Sequence, residues 1–195
     1  YGPQTTDVSQ GRSPDGSSNY EFFDLPTPWV ANSAAPIITE VTTILAPENA
    51  TKRAIIPLSP THIGETWKSE PNFDDSTWLV GIGSPGGVGF ETSTGYESLI
   101  TLDVETQMDN INETCYIRIP FTVDGNDLAD FTDMTLKIRY DDGFVAYING
   151  TELTTARRNF AGTPDWDSGA DGQHSDSMAI LFEYIDVSAY LSALR

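Results

Sequence analysis

The chain runs to 195 residues, with 29 aspartates and glutamates against 10 lysines and arginines, a formal charge of −19. That field repels phosphodiester backbones and anionic lipid, and no apolar run reaches transmembrane length, so nucleic acid and membrane insertion are excluded as expected partners. A hydrophobic fraction of 38% supplies a packed core, and the single cysteine, Cys115, excludes an internal disulfide.

The acidity has two readings. A solvated surface suited to a salty or extracellular medium requires no site and is favoured. Divalent-cation binding is the sharper alternative and belongs to one aspartate-rich loop, described below. Cys115 lies in a strand pattern, Thr114–Ile119, and reads as a small buried hydrophobe. A nucleophilic cysteine needs a paired base, and the sequence places neither His62 nor His174 beside it. Sequons stand at Asn49, Asn112 and Asn149.

Residues 1–35 are punctuated by Gly, Pro, Ser and Asp, and only Tyr20–Phe23 has strand character. The GRSPDG turn, the short strand and the PTPWVAN close resemble the C-terminal end of a bacterial lamin-tail-like domain, with Trp29 standing where that pattern has glycine. The resemblance implies the tail of an immunoglobulin-like domain; a plain extended linker fits the composition equally. The boundary is expected near Pro36, leaving 36–195 as the main domain.

Ile37–Leu45 is β-branched and strand-like, although two apolar pairs blur its alternation. Pro47–Ala50 is a turn, and Ala54–Leu58 is the next expected strand, with Pro57 and Pro60 marking an edge or loop. Trp67 and Trp78 flank the polar loop in TWKSEPNFDDSTW. They fit a sugar-stacking platform or two core plugs, and core is favoured. Asp74 and Asp75 are expected to hold the loop rather than ligate metal. The glycine-rich stretch GIGSPGGVGFETSTGY lacks the Lys-Ser/Thr end of a phosphate-binding loop, so nucleotide binding is dismissed. Its glycines permit tight bends at one end of a sheet, and Glu91, Thr94 and Tyr96 are candidates to line a shallow site there.

Leu99–Val104 reads as a short strand and Tyr116–Val123 as a longer, alternating one, with Arg118 crossing a groove or facing solvent. A helical turn fits Asp127–Phe131. Leu136, Ile138 and Tyr140 then alternate with Lys137 and Arg139, the period of a half-buried strand. Asp141-Asp142-Gly143 predicts a turn, Phe144–Ile148 a second strand, and Asn149-Gly150 a tight hairpin into Thr151–Leu153. Three strands in under 25 residues predict the middle of an antiparallel sheet.

The polar loop Ala156–Ser177 is long enough to be functional. Asp165, Asp167 and Asp171 have a spacing loosely like that of a calcium loop, but the fifth ligand position is Gly169 and no glutamate closes the twelfth. Arg157 and Arg158 beside Trp166 suit a sugar or carboxylate contact, the indole stacking and the guanidinium donors reaching hydroxyls. The plainer alternative is that Arg158 pairs with acidic residues to order the loop. Met178–Ile185 reads as a strand, and Asp186 or Ser188 caps a short helix over Ala189–Leu194.

YDDGFVAYING, with ETWKSEPNFDDSTW and CYIRIPFTVD before it and FEYIDVSAYLSALR after it, resembles the galactose-binding-like jelly-roll domains over about residues 60–195. These recur in large secreted bacterial proteins and beside glycoside hydrolase modules. The resemblance implies an all-β antiparallel sandwich with a short C-terminal helix, secreted or displayed on a bacterial cell surface. One more long strand normally follows that helix in the family, so a neighbouring chain or domain is expected to complete the sheet edge.

No GxSxG or HExxH motif occurs, and no two His or Cys residues stand at metal-ligand spacing. The leading expectation is therefore a non-catalytic module that binds a polysaccharide through Trp166, Arg158, His174, Tyr96 and Glu91. A structural calcium ion at Asp165, Asp167 and Asp171 goes with it. The alternative from another class is a structural domain of an extracellular assembly, filament or adhesin. An enzyme is the distant third, because 29 acids make any carboxylate pair uninformative.

Overall fold

Strand-forming residues in this chain come in short runs broken by Gly, Pro and Asp. The computed structural model accordingly contains short strands on long connections. It describes residues 9–13, 15–23, 40–125 and 127–195. Backbone contacts divide the chain into two units, Tyr1–Thr43 and Ile44–Arg195. The expected boundary at Pro36, the PTPWVAN segment and residues 37–39 lie outside the described residues. The remainder of the strand expected to reach Leu45 is not a strand: Val41 and Ile44 are exposed, and paired apolar residues give no single face to bury.

In the first unit β1 (Ser9–Arg12) pairs antiparallel with β2 (Tyr20–Phe23), Arg12 opposite Tyr20. The Ser13 amide donates to Asn19 O at 3.1 Å, and the Ser17 hydroxyl donates to Ser13 O at 2.9 Å, closing the loop between the strands. Phe23 is buried.

The second unit is β-rich. Its strands are β3 (Lys52–Ile55), β4 (Leu79–Gly81), β5 (Gly87–Gly89), β6 (Ile100–Asp103), β7 (Tyr116–Arg118), β8 (Thr135–Ile138), β9 (Tyr147–Ile148), β10 (Thr151–Glu152) and β11 (Glu183–Asp186). Two short helices, α1 (Glu105–Met108) and α2 (Asp176–Ala179), lie among them. β3 sits between β4 and β7, antiparallel to both, and fully buries Ala54. β5 runs parallel to β6. β7 ends at Arg118 rather than Val123, because Pro120 has no N–H for a ladder.

Trp78 is buried and makes an edge contact with Phe73, and Trp67 stacks on Tyr116 with centroids 4.5 Å apart. Asp74 accepts the Ser76 amide at 3.1 Å, and Asp75 pairs with Arg53 and Arg118, so both aspartates hold this loop. Cys115 is half-buried, and loss of hydration pushes its thiol up to about 12, so it is neutral at pH 7.

The main core gathers Leu153, Ala156, Ile185 and Val187, with Leu136 and Ile138 of β8 packed against it. Alternation along β8 turns those two inward and leaves Lys137 and Arg139 on the other face. The Asn149-Gly150 hairpin forms as its sequence predicts, φ being 49° and 85° at the two turn residues, with β9 pairing β10. The Asp141-Asp142-Gly143 turn does not fold β8 back on residues 144–148. Instead, β8 pairs with β11, Lys137 opposite Tyr184, and Phe144 bridges Arg158. The short C-terminal helix is a 3-10 helix over Ser188–Ala193. Asp186 Oδ1 accepts both the amide and the hydroxyl of Ser188, and Ser188 Oγ accepts the Met134 amide.

Candidate functional site

β8 delivers Arg139, Tyr140 and the turn Asp141-Asp142-Gly143 to one end of its sheet. Three ties shape that turn. Phe144 and Arg158 exchange backbone hydrogen bonds at 3.0 Å each, and the Asn159 side chain donates to Asp142 O at 2.8 Å. A Cβ on Gly143 would lie 2.7 Å from Arg158 O, so only glycine lets the two backbones approach this closely.

The polar loop returns to the same place. The His174 amide donates to Asp142 Oδ1 at 2.7 Å, and its ring stacks on Tyr140 with centroids 4.1 Å apart. Nδ1 lies 2.8 Å from Tyr140 O. A carbonyl only accepts, so Nδ1 carries the proton in the neutral ring, leaving Nε2 as a free acceptor. Asp141, Asp142, Gln173, His174, Ser175, Asp176 and Met178 line a groove of about 720 Å³.

Tyr96 donates its hydroxyl to Asp141 Oδ2. Burial first, then Asp141, Glu91 and Asp176, raise the Tyr96 pKa far above that of a free phenol. Glu91 Oε1 accepts the amide and hydroxyl of Ser93 at 2.8 Å each. A Cβ on Gly95 would lie 3.1 Å from Glu91 Oε2 and 3.5 Å from Asp176 Cβ, which places both acids beside Gly95.

Of the residues expected to bind ligand, Tyr96, Glu91 and His174 therefore converge. Arg158 is consumed internally: Nε and Nη2 fork onto Glu183 Oε1 at 2.8 and 2.5 Å, while Nη1 reaches Thr155 O and Arg157 O. It ties the long loop to β11. Trp166 is not among the groove's lining residues, and its part of the loop is fastened elsewhere, Thr114 Oγ1 donating to Ser168 O at 2.7 Å.

The three aspartates expected to hold calcium act singly. Asp165 accepts the Trp166 amide, Asp167 the Glu113 amide and Asp171 the Ala161 amide. Among the described residues no group of three or more His, Cys, Asp or Glu side chains is drawn together around one point.

Sequence reasoning passed over Asp141, Asp142, Tyr140 and Asp176. The doubled aspartate was the available signal: a turn needs one such residue, and a second, followed by glycine and preceded by an aromatic, is surplus to turn chemistry.

Asp141 is raised above the usual carboxylate range, by burial first and also by Asp142 and Asp176. An acid raised on folding binds more protons in the native state, so stability falls as pH climbs from the ordinary carboxylate value through the raised one. Asp141→Asn is expected to flatten that fall in melting temperature as pH climbs above the ordinary carboxylate value, while keeping an acceptor for Tyr96. An unchanged profile would remove Asp141 as its source.

No known protein family, characterised protein or solved structure matches the chain.

Proposed function

We propose that the chain is a non-catalytic, extracellular glycan-binding module built as a jelly-roll sandwich of the galactose-binding-like kind. The observation that carries this reading is the groove beside Tyr140. Asp141, Asp142 and Asp176 present acceptors for sugar hydroxyls, Gln173 and Ser175 present donors, and His174 Nε2 adds an acceptor beside an aromatic stack. No helix among the described residues is long and apolar enough to cross a membrane.

Asp176 is the clean probe, since its carboxylate makes no hydrogen bond among the described residues. Asp176→Ala is expected to weaken binding to whichever oligosaccharide a glycan array retains by about tenfold, the effect of one hydrogen bond to a charged group. Its circular dichroism should match the parent. An array on which nothing is retained ends this reading.

A second reading, a domain that works through protein contacts, has its own observation. Leu58 and Ile111 are exposed around an apolar depression of about 330 Å³ beside β3 and β4. Light scattering across a concentration series decides it: a constant monomer mass removes it.

A further inference from the structure

Ten cations face 29 carboxylates in this chain, so a cation without a carboxylate neighbour is informative. Among the described residues, ion pairs hold Arg53, Lys68, Arg118, Arg139, Arg157 and Arg158. Lys137 forms none among the described residues and makes no hydrogen bond there. Its ammonium lies 4.1 Å from the Phe182 ring centroid and 5.3 Å from that of Tyr184. Arg139, two residues along the same face, stacks on Phe182 at 3.7 Å and is fixed by Glu48 and by Ile180 O at 2.9 Å. Tyr184 is 67% exposed, and its hydroxyl has no partner among the described residues.

Each of these facts bears on ligand chemistry. Aromatic faces hold an ammonium in place without neutralising it or occupying its N–H donors. An exposed tyrosine ring next to it offers the flat apolar surface on which the C–H face of a pyranose stacks. The chain's overall negative charge is screened beyond about 8 Å at physiological ionic strength, so the local cation governs what approaches this face. The face and the groove are built from the same two stretches of chain, residues 137–142 and 173–184, Met178 lining the groove two residues before Ile180 holds Arg139.

We propose that the outer face of β8 and β11 binds a pyranose bearing an anionic substituent, a carboxylate or a sulfate ester, as the continuation of the glycan held in the groove. This rests on the glycan-binding reading above and names its ligand class. Lys137 receives the anion, Tyr184 receives the ring, and Arg139, already paired, keeps Phe182 in position.

The test is calorimetric titration of the full chain with an oligogalacturonate, a sulfated galacto-oligosaccharide and a neutral galacto-oligosaccharide. One or both anionic probes should bind more tightly than the neutral one, and which of them does so identifies carboxylate or sulfate as the source. Lys137→Gln should weaken the anionic probe by about fivefold, the order of one solvent-screened ion pair, and leave the neutral probe unchanged. Lys137→Arg should retain it, and added salt should erode the preference.

Unchanged anionic binding in Lys137→Gln and Tyr184→Ala overturns the inference. Where neutral binding and its loss in Asp176→Ala persist, the groove reading survives that result. No binding of any probe overturns both. Should Tyr184→Ala alter only the mass in light scattering, the face is a protein contact and the inference fails.

Discussion

Trp78→Ala is expected to lower the unfolding free energy by about 3–5 kcal/mol, the range for deleting a buried aromatic from a core. Trp78 is only 4% exposed and lies between Phe73, 5.7 Å away edge-on, and Trp67 at 6.0 Å. Its amide donates to Asp75 O at 3.0 Å, and Asp75 in turn pairs with Arg53 of β3 and Arg118 of β7. Removing the indole leaves a cavity under a loop that two strands depend on. Trp67→Ala should cost less, because Trp67 is half-buried and stacks on one face only. Urea denaturation of both variants measures the difference. A loss at Trp78 below about 1 kcal/mol would mean that the indole is not a core plug.

Gly86→Ala is expected to cost about 2–4 kcal/mol through two separate effects, backbone strain and overpacking. The residue has φ of 103°, a conformation that side chains disfavour. A methyl there would also overlap Glu48 O and stand 3.0 Å from both Asn49 Cα and Lys52 Nζ. Backbone atoms cannot yield as a flexible side chain does. The Gly86 amide, donating to Thr101 Oγ1 at 2.8 Å, would be displaced with it. Gly64→Ala, in the same unit, is the control: φ is 72° but nothing lies within 4 Å of the added methyl, so only the strain of about 1 kcal/mol applies. Equal costs at the two glycines would show that close approach contributes nothing at Gly86.

Parts of this structure were legible residue by residue. Asn149-Gly150 makes its hairpin because positive φ at two adjacent residues is a local preference that neighbours need not supply. Asp186 accepts the Ser188 amide for the same kind of reason, a short side chain reaching an amide two residues on, although the N-cap position of the last helix falls to Val187 rather than to Asp186 or Ser188. Leu136 and Ile138 face the core because a period of two leaves a strand one apolar face.

The candidate site was less legible. Tyr96, Glu91 and His174 were recognised as ligand-type residues, but the doubled aspartate, read as a turn, carries no local sign of which distant residues meet there. Arg158 carried two readings from sequence, sugar donor and loop tie, and its fork onto Glu183 is the tie. That choice depends on which carboxylate lies across the sheet, 25 residues further along the chain.

By itself, then, the sequence determined the β-rich character, the tight Asn-Gly hairpin, the inward face of β8 and an acidic, disulfide-free surface. Each follows from a residue and its near neighbours, through backbone preference, pattern or charge count. Only the tertiary structure decided that β8 pairs with β11 instead of turning back on Phe144, and that the doubled aspartate and His174 share a groove. Strand pairing is chosen by which distant faces bury together and which side chains pin the turns between them. Phe144 to Arg158 and Asn159 to Asp142 are such pins, and turn chemistry at Asp141–Gly143 carries no record of either.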